Sequence, residues 1–313
     1  MPNYSGVWTL SQQMQAVGQG LWQYPPPIGL FGGGAGPTNT VDYILISSTG
    51  TSASFGQLSQ SADYMSASSS STRGIWGGGL NSQGTVLSSM SYVTIATSGT
   101  GTNFGNLTVA RFATGSCSNE TRALWGGGFN NSLGVTYNVI DYVTIATTGN
   151  ATDFGDLHAN FIALSACASP TRGLFGGGAD PGDSNVIDYV TIASTGNALD
   201  FGDLTVARQG TAALSSNTRG IFAGGRTSST LNVIDYVTIA STGNATDFGD
   251  LAVAVYAAAG TSSPTVGVVG GGYAGLNNIQ SITIATTGNA ASFGTLTTGR
   301  FNLGACSAAH GGL

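Results

Sequence analysis

The acidic residues that recur along the chain are its first candidates for chemistry. Asp153 and Asp156 flank a Phe-Gly pair, and two carboxylates with nearby backbone carbonyls could contribute to a cation site. Calcium, however, takes roughly six to eight oxygen ligands, and the equivalent places in other parts of the chain carry Ser, Thr, Asn or Gln. We therefore predict that these Asp residues cap their own turns and hold no metal. The copies of the pair are Asp200 and Asp203, and Asp247 and Asp250.

The other groups that could act in catalysis are few and isolated. The run 153–155 (Asp-Phe-Gly) matches the magnesium motif of kinases, but the chain has no Lys and no His-Arg-Asp catalytic loop. Its glycine clusters lack the Gly-Lys-Ser/Thr ending of a phosphate-binding loop, so we interpret them as parts of the fold. His158 and His310 neighbour no Ser or Cys nucleophile motif. From the sequence we therefore predict that the protein is not an enzyme and that it has no catalytic residue and no cofactor.

Three cysteines occupy equivalent places in three different repeats. Their number is odd, and their spacing fits no metal site. We predict that they are free thiols that pack as small apolar side chains. They are Cys117, Cys167 and Cys306.

An aspartate also recurs on the face of a predicted strand that otherwise carries Val and Ile. A buried carboxylate needs a partner, and an arginine stands earlier in the same repeats, so we expect an Arg–Asp pair within each repeat. The first two repeats break this correlation, which leaves the Arg at the start of the preceding small-residue strand as the alternative partner. The carboxylates are Asp141, Asp188 and Asp235, and the arginines are Arg122, Arg172 and Arg219.

These residues belong to six repeats with a period of about 47 residues, which indicates a repeat architecture. Each repeat contains four strand-like segments, which in the third repeat are 111–118, 122–128, 139–147 and 153–158. The first segment is rich in small residues, as expected where strands converge on an axis. We therefore predict an all-β fold, a six-bladed β-propeller with four-stranded blades. The Phe of the recurring Phe-Gly pair is Phe55, Phe104, Phe154, Phe201, Phe248 and Phe293.

The two ends of the chain complement each other. Residues 300–306 match the first segment of the third repeat, whereas the first repeat begins at its second strand. The C-terminal strand is therefore predicted to complete the first blade and to hide an exposed edge. We assign residues 28–313 to the propeller and residues 1–27 to an N-terminal extension. The extension carries a capping box and a short apolar helical face, which packs either on its own domain or on a partner. The candidate docking residues are Leu10, Met14, Val17 and Trp22.

Composition limits the class of partner. Only 7% of the residues are charged and the net charge is −6, so binding to nucleic acid or insertion into a membrane is not expected. The N-terminus lacks the features of a signal peptide. A neutral polar surface suits a protein packed in an assembly or one that faces carbohydrate. A general bias in the amino-acid composition of the source's proteins would explain it equally well.

The loop between the glycine cluster and the third strand varies most among the repeats. Variable loops on a rigid scaffold are the usual place for recognition, although loops also drift where nothing constrains them. The candidate recognition residues are Phe129, Tyr137, Asp180, Asp183, Arg226 and Tyr273.

The order of features in each repeat resembles the kelch repeat. In the fifth repeat an Arg precedes a short apolar strand (208–214), a second strand ends in paired glycines (220–225), and Tyr236 follows. The kelch Trp is absent, and Phe248 is its expected replacement. The resemblance covers about residues 28–307. The near-identical repeats, together with the Gly-Val-Trp-Thr-Leu opening at 6–10, are also similar to repeat proteins of bacteriophage virions.

The second resemblance implies a non-enzymatic virion protein, most simply a tail-associated fibre or receptor-binding propeller. It implies contact with other virion proteins through the N-terminal extension and with a host-surface glycan or outer-membrane protein through the loops. The alternatives are a capsid decoration protein and, from another class, a kelch-type propeller enzyme such as an oxidase or a glycan lyase.

Overall fold

The computed structural model describes residues 27–308, which form six blades of four antiparallel strands around an axis; a short strand of the second repeat, Gly99–Thr100, adds in parallel to the sheet of the first blade. The protein is thus an all-β, six-bladed β-propeller, as predicted. This part of the chain contains no helix, and hence none that could cross a membrane. The predicted N-terminal helix and its docking residues Leu10, Met14, Val17 and Trp22 lie outside the described residues.

The strands follow the repeats in chain order. Residues 28–106 contain β1 (Ile28–Gly32), β2 (Thr38–Leu45), β3 (Ala53–Ala62), β4 (Ser66–Ser69), β5 (Arg73–Gly77), β6 (Ser89–Thr94), β7 (Gly99–Thr100) and β8 (Thr102–Asn106). Residues 115–203 contain β9 (Gly115–Ser118), β10 (Arg122–Gly126), β11 (Phe129–Asn130), β12 (Val135–Thr136), β13 (Val139–Thr144), β14 (Thr152–Asp156), β15 (Ser165–Ala168), β16 (Arg172–Gly176), β17 (Val186–Thr191) and β18 (Leu199–Asp203). Residues 212–307 contain β19 (Ala212–Ser215), β20 (Arg219–Ala223), β21 (Val233–Thr238), β22 (Thr246–Asp250), β23 (Ala259–Ser262), β24 (Val266–Gly270), β25 (Asn278–Thr283), β26 (Ala291–Thr295) and β27 (Gly304–Ser307).

The C-terminal strand closes the ring as predicted. β27 pairs with β1, with Gly29 opposite Ser307 and Gly32 opposite Gly304, so blade 1 consists of β27, β1, β2 and β3. Blades 2 to 6 begin at β4, β9, β15, β19 and β23, which are their inner strands. Because both ends of the chain share one sheet, the ring leaves no unpaired edge at β1.

Small side chains let the inner strands approach one another. The buried hydroxyl of Ser118 donates to the backbone carbonyl of Ser69 at 2.8 Å. The hydroxyl of Ser262 likewise donates to the backbone carbonyl of Ser215 at 2.6 Å. Such bonds join neighbouring blades close to the axis. The three cysteines lie one residue before these positions and are free and buried, as predicted, and burial raises the pKa of each thiol.

The glycine clusters are positions where the next blade packs against the backbone. A Cβ on Gly126 would lie 2.7 Å from the ring of Phe175, which belongs to the following blade. Four other blade junctions repeat this arrangement of glycine and aromatic ring. At the remaining junction Ala223 takes the place of the glycine and the smaller Val269 takes the place of the ring, and both lie in one core cluster. The clusters are therefore structural, as the sequence indicated.

The Phe-Gly pair marks a contact between outer strands and neighbouring blades. Each outer strand carries a bulge at this point, and in blade 2 the carbonyl of Phe104 accepts a hydrogen bond of 2.8 Å from Gly149 of blade 3. A Cβ on Gly105 would overlap the carbonyl of Gly149, and its φ of 152° also favours glycine. The most regular sequence signal thus reports how blades join.

Candidate functional site

Two sets of segments meet at one end of the ring, which we call the loop face. They are the loops between the second and third strands of each blade and the connections from each outer strand to the next inner strand. The opposite end carries the short turns that join the first strand to the second and the third to the fourth.

Buried ion pairs fix the connections on the loop face. In blade 3, Arg111 Nη2 lies 3.0 Å from Asp141 Oδ2, and both side chains are fully buried. The same carboxylate accepts hydrogen bonds from the backbone and hydroxyl of Thr108 at 2.9 and 2.6 Å. Burial lowers the pKa of Arg111, and the charge of Asp141 opposes that shift. The equivalent pairs are Arg208–Asp235 at 3.2 Å in blade 5 and Arg300–Asp42 at 2.7 Å in blade 1.

The pairing expected between Arg122 and Asp141 is wrong, and the alternative arginine is the partner. The register places Arg122 opposite Thr144, far along the strand from the carboxylate. Arg122 instead stacks on Tyr142 at 4.8 Å and donates to the carbonyls of Ile192 and Ala193 in blade 4. Arg73, Arg172 and Arg219 repeat this bridge between blades.

Three blades lack the Arg–Asp pair: blade 4 keeps the carboxylate with another partner, and blades 2 and 6 replace both residues. In blade 4, Phe161 stands where the arginine would be, and His158 Nδ1 lies 2.8 Å from the carboxylate of Asp188. Burial raises the pKa of Asp188, and the hydrogen bonds from His158 oppose that rise. Blade 2 has Ala62 and Ser91 at the two positions, and blade 6 has Val255 and Gln280.

Beyond these anchors the connections form a ring of strained backbone around the axis. Six equivalent residues have φ between 55° and 64°, and only one of them is glycine. Ala113 donates from its backbone to the carbonyl of Tyr64 at 3.1 Å, and four more such bonds continue from blade to blade. At the sixth position Tyr64 N donates to the carboxylate of Asp63 at 2.8 Å instead. The six residues are Tyr64, Ala113, Ala163, Gly210, Ala257 and Asn302.

This ring encloses a cavity of about 330 Å³ that opens on the loop face. We call it the bowl and define its mouth by Tyr64, Phe112, Arg226, Tyr256, Tyr273 and Phe301.

The aromatic side chains of the mouth are in mutual contact. The rings of Tyr256 and Tyr273 are stacked with centroids 4.7 Å apart, and Tyr273 meets Phe301 edge-on at 5.2 Å. Across the mouth, Tyr64 and Phe112 lie 5.4 Å apart. The cavity ends among Ala, Gly and Ser residues of the inner strands. A concave site that combines aromatic side chains with a few polar groups is the usual form of a ligand site.

Arg226 is the charged group of the mouth. Its guanidinium lies 4.8 Å above the ring of Tyr256, and its side chain is exposed. Burial raises the pKa of the Tyr256 phenol and the charge of Arg226 opposes that rise, so the phenol is a neutral hydroxyl at neutral pH. The bowl thus offers a cation and a hydroxyl beside stacked aromatic faces.

The other predicted recognition residues lie around the bowl or away from it. Phe129 packs edge-on against Phe112 with centroids 5.7 Å apart. Asp183 accepts a hydrogen bond of 2.9 Å from Gln209, which lines the cavity. Tyr137 is half-buried near Arg111, and Asp180 is exposed in its loop; neither lines the bowl. The variable loops therefore contribute Arg226 and Tyr273 to the lining of the bowl, while Phe129 and Asp183 contact the lining residues Phe112 and Gln209.

Sequence reasoning missed the half of the bowl that comes from the connections between blades. Those residues were assigned to the small-residue strand, whereas in the structure they precede it. A signal was present, because the residue five places after the recurring Leu differs in nearly every repeat. The six residues at this position are Asp63, Phe112, Ile162, Gln209, Tyr256 and Phe301.

Two of the recurring Asp residues show the predicted turn cap. Asp153 Oδ1 accepts a hydrogen bond of 3.2 Å from the backbone of Gly155, and Asp247 does the same with Gly249. Each therefore caps its own turn. Within residues 27–308 no three His, Cys, Asp or Glu side chains are grouped so that they could hold a metal ion.

No protein-family model matches the chain, and no curated protein matches it.

Proposed function

We propose that this protein is a non-enzymatic recognition protein that binds its target through the bowl. The aromatic mouth carries the proposal, since Tyr256, Tyr273 and Phe301 offer contiguous apolar surface at the end of the ring where the repeats differ. Tyr273 remains 51% exposed despite these contacts, and so much exposed aromatic surface suits a side chain that a bound target covers. Aromatic side chains of this kind dominate binding sites.

We further propose that the protein belongs to a bacteriophage virion and is associated with the tail. The resemblance of the repeats to virion repeat proteins supports this location, and the outward-opening bowl supports a role in host attachment. On this proposal residues 1–27 contact other virion proteins, and the bowl meets a glycan or an outer-membrane protein of the host.

The two alternatives make different demands on the same surface. A capsid decoration protein would bury the loop face or the N-terminal extension against neighbouring subunits. A propeller enzyme would need clustered His, Tyr, Cys or acidic residues at one end of the channel. The residues that line the bowl, all within the described part of the chain, include Tyr64, Tyr256 and Tyr273 but no His, Cys, Asp or Glu. Because no imidazole, thiol or carboxylate accompanies these phenols in the lining, the bowl supports binding better than catalysis.

Competition for the host surface tests the proposal. Purified protein is added in excess to host cells before the phage particle that carries it, and adsorption is measured. We expect the wild-type protein to reduce adsorption and Tyr273→Ala to lose this effect, because the substitution removes the stacked aromatic surface. Leu199→Ala is the matched control, since Leu199 is 60% exposed on an outer strand away from the bowl. Equal competition by Tyr273→Ala and wild type would disprove recognition through the bowl.

A further inference from the structure

We infer that the bowl binds an acidic saccharide, a sugar residue that carries a single carboxylate, and that Arg226 recognises this carboxylate. The inference rests on the proposed function and adds the chemical class of the ligand.

The use of arginine in the fold singles out Arg226. All eight basic residues of the chain are arginines that lie within residues 27–308, and seven of them donate side-chain hydrogen bonds within the protein. Among the arginines of residues 27–308, Arg226 alone makes no side-chain hydrogen bond and no ion pair. Its guanidinium instead makes a cation–π contact with the ring of Tyr256. The sole cation without a structural partner therefore stands at the mouth of the cavity.

The placement of Arg226 suits a carboxylate. The guanidinium carbon lies 4.8 Å above the ring of Tyr256, and the guanidinium donors make no hydrogen bond within residues 27–308. A planar guanidinium binds a carboxylate through two parallel hydrogen bonds, which gives orientation as well as affinity. Because the side chain is exposed, its donors are accessible to a carboxylate that comes from outside the fold.

The aromatic walls and polar groups suit a sugar ring. A pyranose presents flat C–H faces to aromatic rings and hydroxyls at its edges, and Tyr273 and Phe301 provide such rings. Asn302 is only 9% exposed at the cavity wall, and its Nδ2 makes no well-aligned hydrogen bond, although the amide is near enough to Asp63 to favour the ionised carboxylate there. Gln209 donates its Nε2 to Asp183, which leaves its carbonyl oxygen as an acceptor. Donors and acceptors thus surround apolar faces.

Size and charge limit the ligand further. A cavity of about 330 Å³ holds on the order of ten water molecules, which is the volume of one or two sugar rings entering end-on. The protein has a net charge of −6, so a polyanion would be repelled, whereas one carboxylate matches one guanidinium. An acidic peptide could also meet Arg226, but its flexible side chain lacks the rigid C–H face that the stacked rings accommodate.

Isothermal titration with four small probes tests the inference on the full chain. The probes are methyl β-glucuronide, the neutral methyl β-glucoside, glucose 6-phosphate and an N-acetyl glutamate amide. We expect the glucuronide to bind about tenfold or more tightly than each of the others, and Arg226→Gln to remove that preference. Arg226→Lys keeps the charge but loses the paired donors, so it should restore only part of the affinity. Ser228→Ala, an exposed change in the same loop, is the matched control and should bind as wild type does.

The remaining outcomes overturn the inference in distinguishable ways. Equal binding of glucuronide and glucoside, or full affinity in Arg226→Gln, removes the role of the carboxylate. Tighter binding of the phosphate or of the glutamate amide replaces the acidic sugar by that class. If no probe binds, but the wild-type protein reduces adsorption and Tyr273→Ala does not, the acidic-sugar inference is wrong and the proposed function stands. If the glucuronide binds through Arg226 but Tyr273→Ala competes for adsorption as well as wild type does, the acidic-sugar inference stands and the proposed function is wrong.

Discussion

At the scale of single residues, a buried carboxylate holds each connection of the loop face in blades 1, 3 and 5. Asp141 compensates the charge of Arg111 and caps the backbone at Thr108, so one side chain fixes the start of the connection. Blade 2 has Ala62 and Ser91 in these two places, and the hydroxyl of Ser91 accepts the equivalent backbone hydrogen bond from Ser59 at 2.9 Å. Blade 2 thus replaces both members of the pair, whereas blade 4 keeps the carboxylate of Asp188 and supplies His158 as its partner.

Removing one partner of such a pair is expected to cost more than removing both. Arg111→Ala leaves Asp141 buried without a counter-charge, and we expect a loss of about 3–5 kcal/mol in the free energy of unfolding. The double variant Arg111→Ala/Asp141→Ser reproduces the combination of blade 2 and should recover most of that loss. Urea unfolding of the two variants and of Asp141→Ser measures the coupling. Additive losses would contradict the account.

Asp63 should make stability depend on pH. Burial raises its pKa from 3.8 to about 6, against the opposing effect of the nearby Asn302 amide and of the hydrogen bond from the backbone of Tyr64. Because the folded state holds the proton more tightly than the unfolded state, its contribution is complete below pH 3.8 and is lost as the pH rises through about 6. Asp63→Asn keeps an acceptor for Tyr64 N but cannot ionise. We expect it to match wild type near pH 4 and to be more stable at pH 7 in urea unfolding. A constant difference across that range would show that Asp63 is not the group responsible.

At the scale of strands and blades, packing at each junction depends on a matched pair of residues. Gly126 makes room for the ring of Phe175, whereas Ala223 meets the smaller Val269 at the junction of blades 5 and 6. Shape at these contacts is therefore shared between two blades, because a protein interior leaves no spare volume.

A double-mutant cycle tests this complementarity. Gly126→Ala places a methyl group against Phe175, and overpacking of this kind costs about 1–3 kcal/mol. Phe175→Val alone leaves a cavity, whereas Gly126→Ala/Phe175→Val copies the natural Ala–Val junction and should be more stable than the sum of the single changes predicts. Thermal unfolding of the four proteins measures the interaction energy. No interaction between the two positions would disprove the matched-pair explanation.

The strands could be predicted from the sequence more fully than the bowl. The β-branched and aromatic residues of segments such as Val139–Thr144 and the match of residues 300–306 to an inner strand are local signals, and they predicted the blades and the closure. The partner of Asp141 depends on register, which placed Trp125 rather than Arg122 opposite it. The bowl arises from irregular backbone, where no periodicity exists. Tyr64 and Phe112 become neighbours there only because two blades lie side by side.

At the scale of the whole molecule, closure of the ring depends on the C-terminal strand. β27 pairs with β1, and the adjoining Arg300 binds the carboxylate of Asp42 and the carbonyl of Thr40. Deleting residues 300–313 should therefore expose an edge and leave a buried carboxylate unpaired, with aggregation or unfolding as the result.

A circular permutant is the control for this deletion. Placing residues 300–308 ahead of residue 28 supplies the same strand from the other end of the chain, so the permutant should remain soluble and folded by circular dichroism and size-exclusion chromatography. A deletion variant that is as soluble and as stable as wild type would contradict the role of β27.

The position of the loop face in the native particle tests the central claim most directly. A cryo-electron microscopy map of the candidate phage particle would show whether the protein is present and which end of the ring faces outward. The account predicts a tail-associated propeller with Arg226 and Tyr273 open to solvent and the N-terminal extension against other virion proteins. A map in which neighbouring subunits cover the bowl, or in which the protein is absent from the particle, would contradict it.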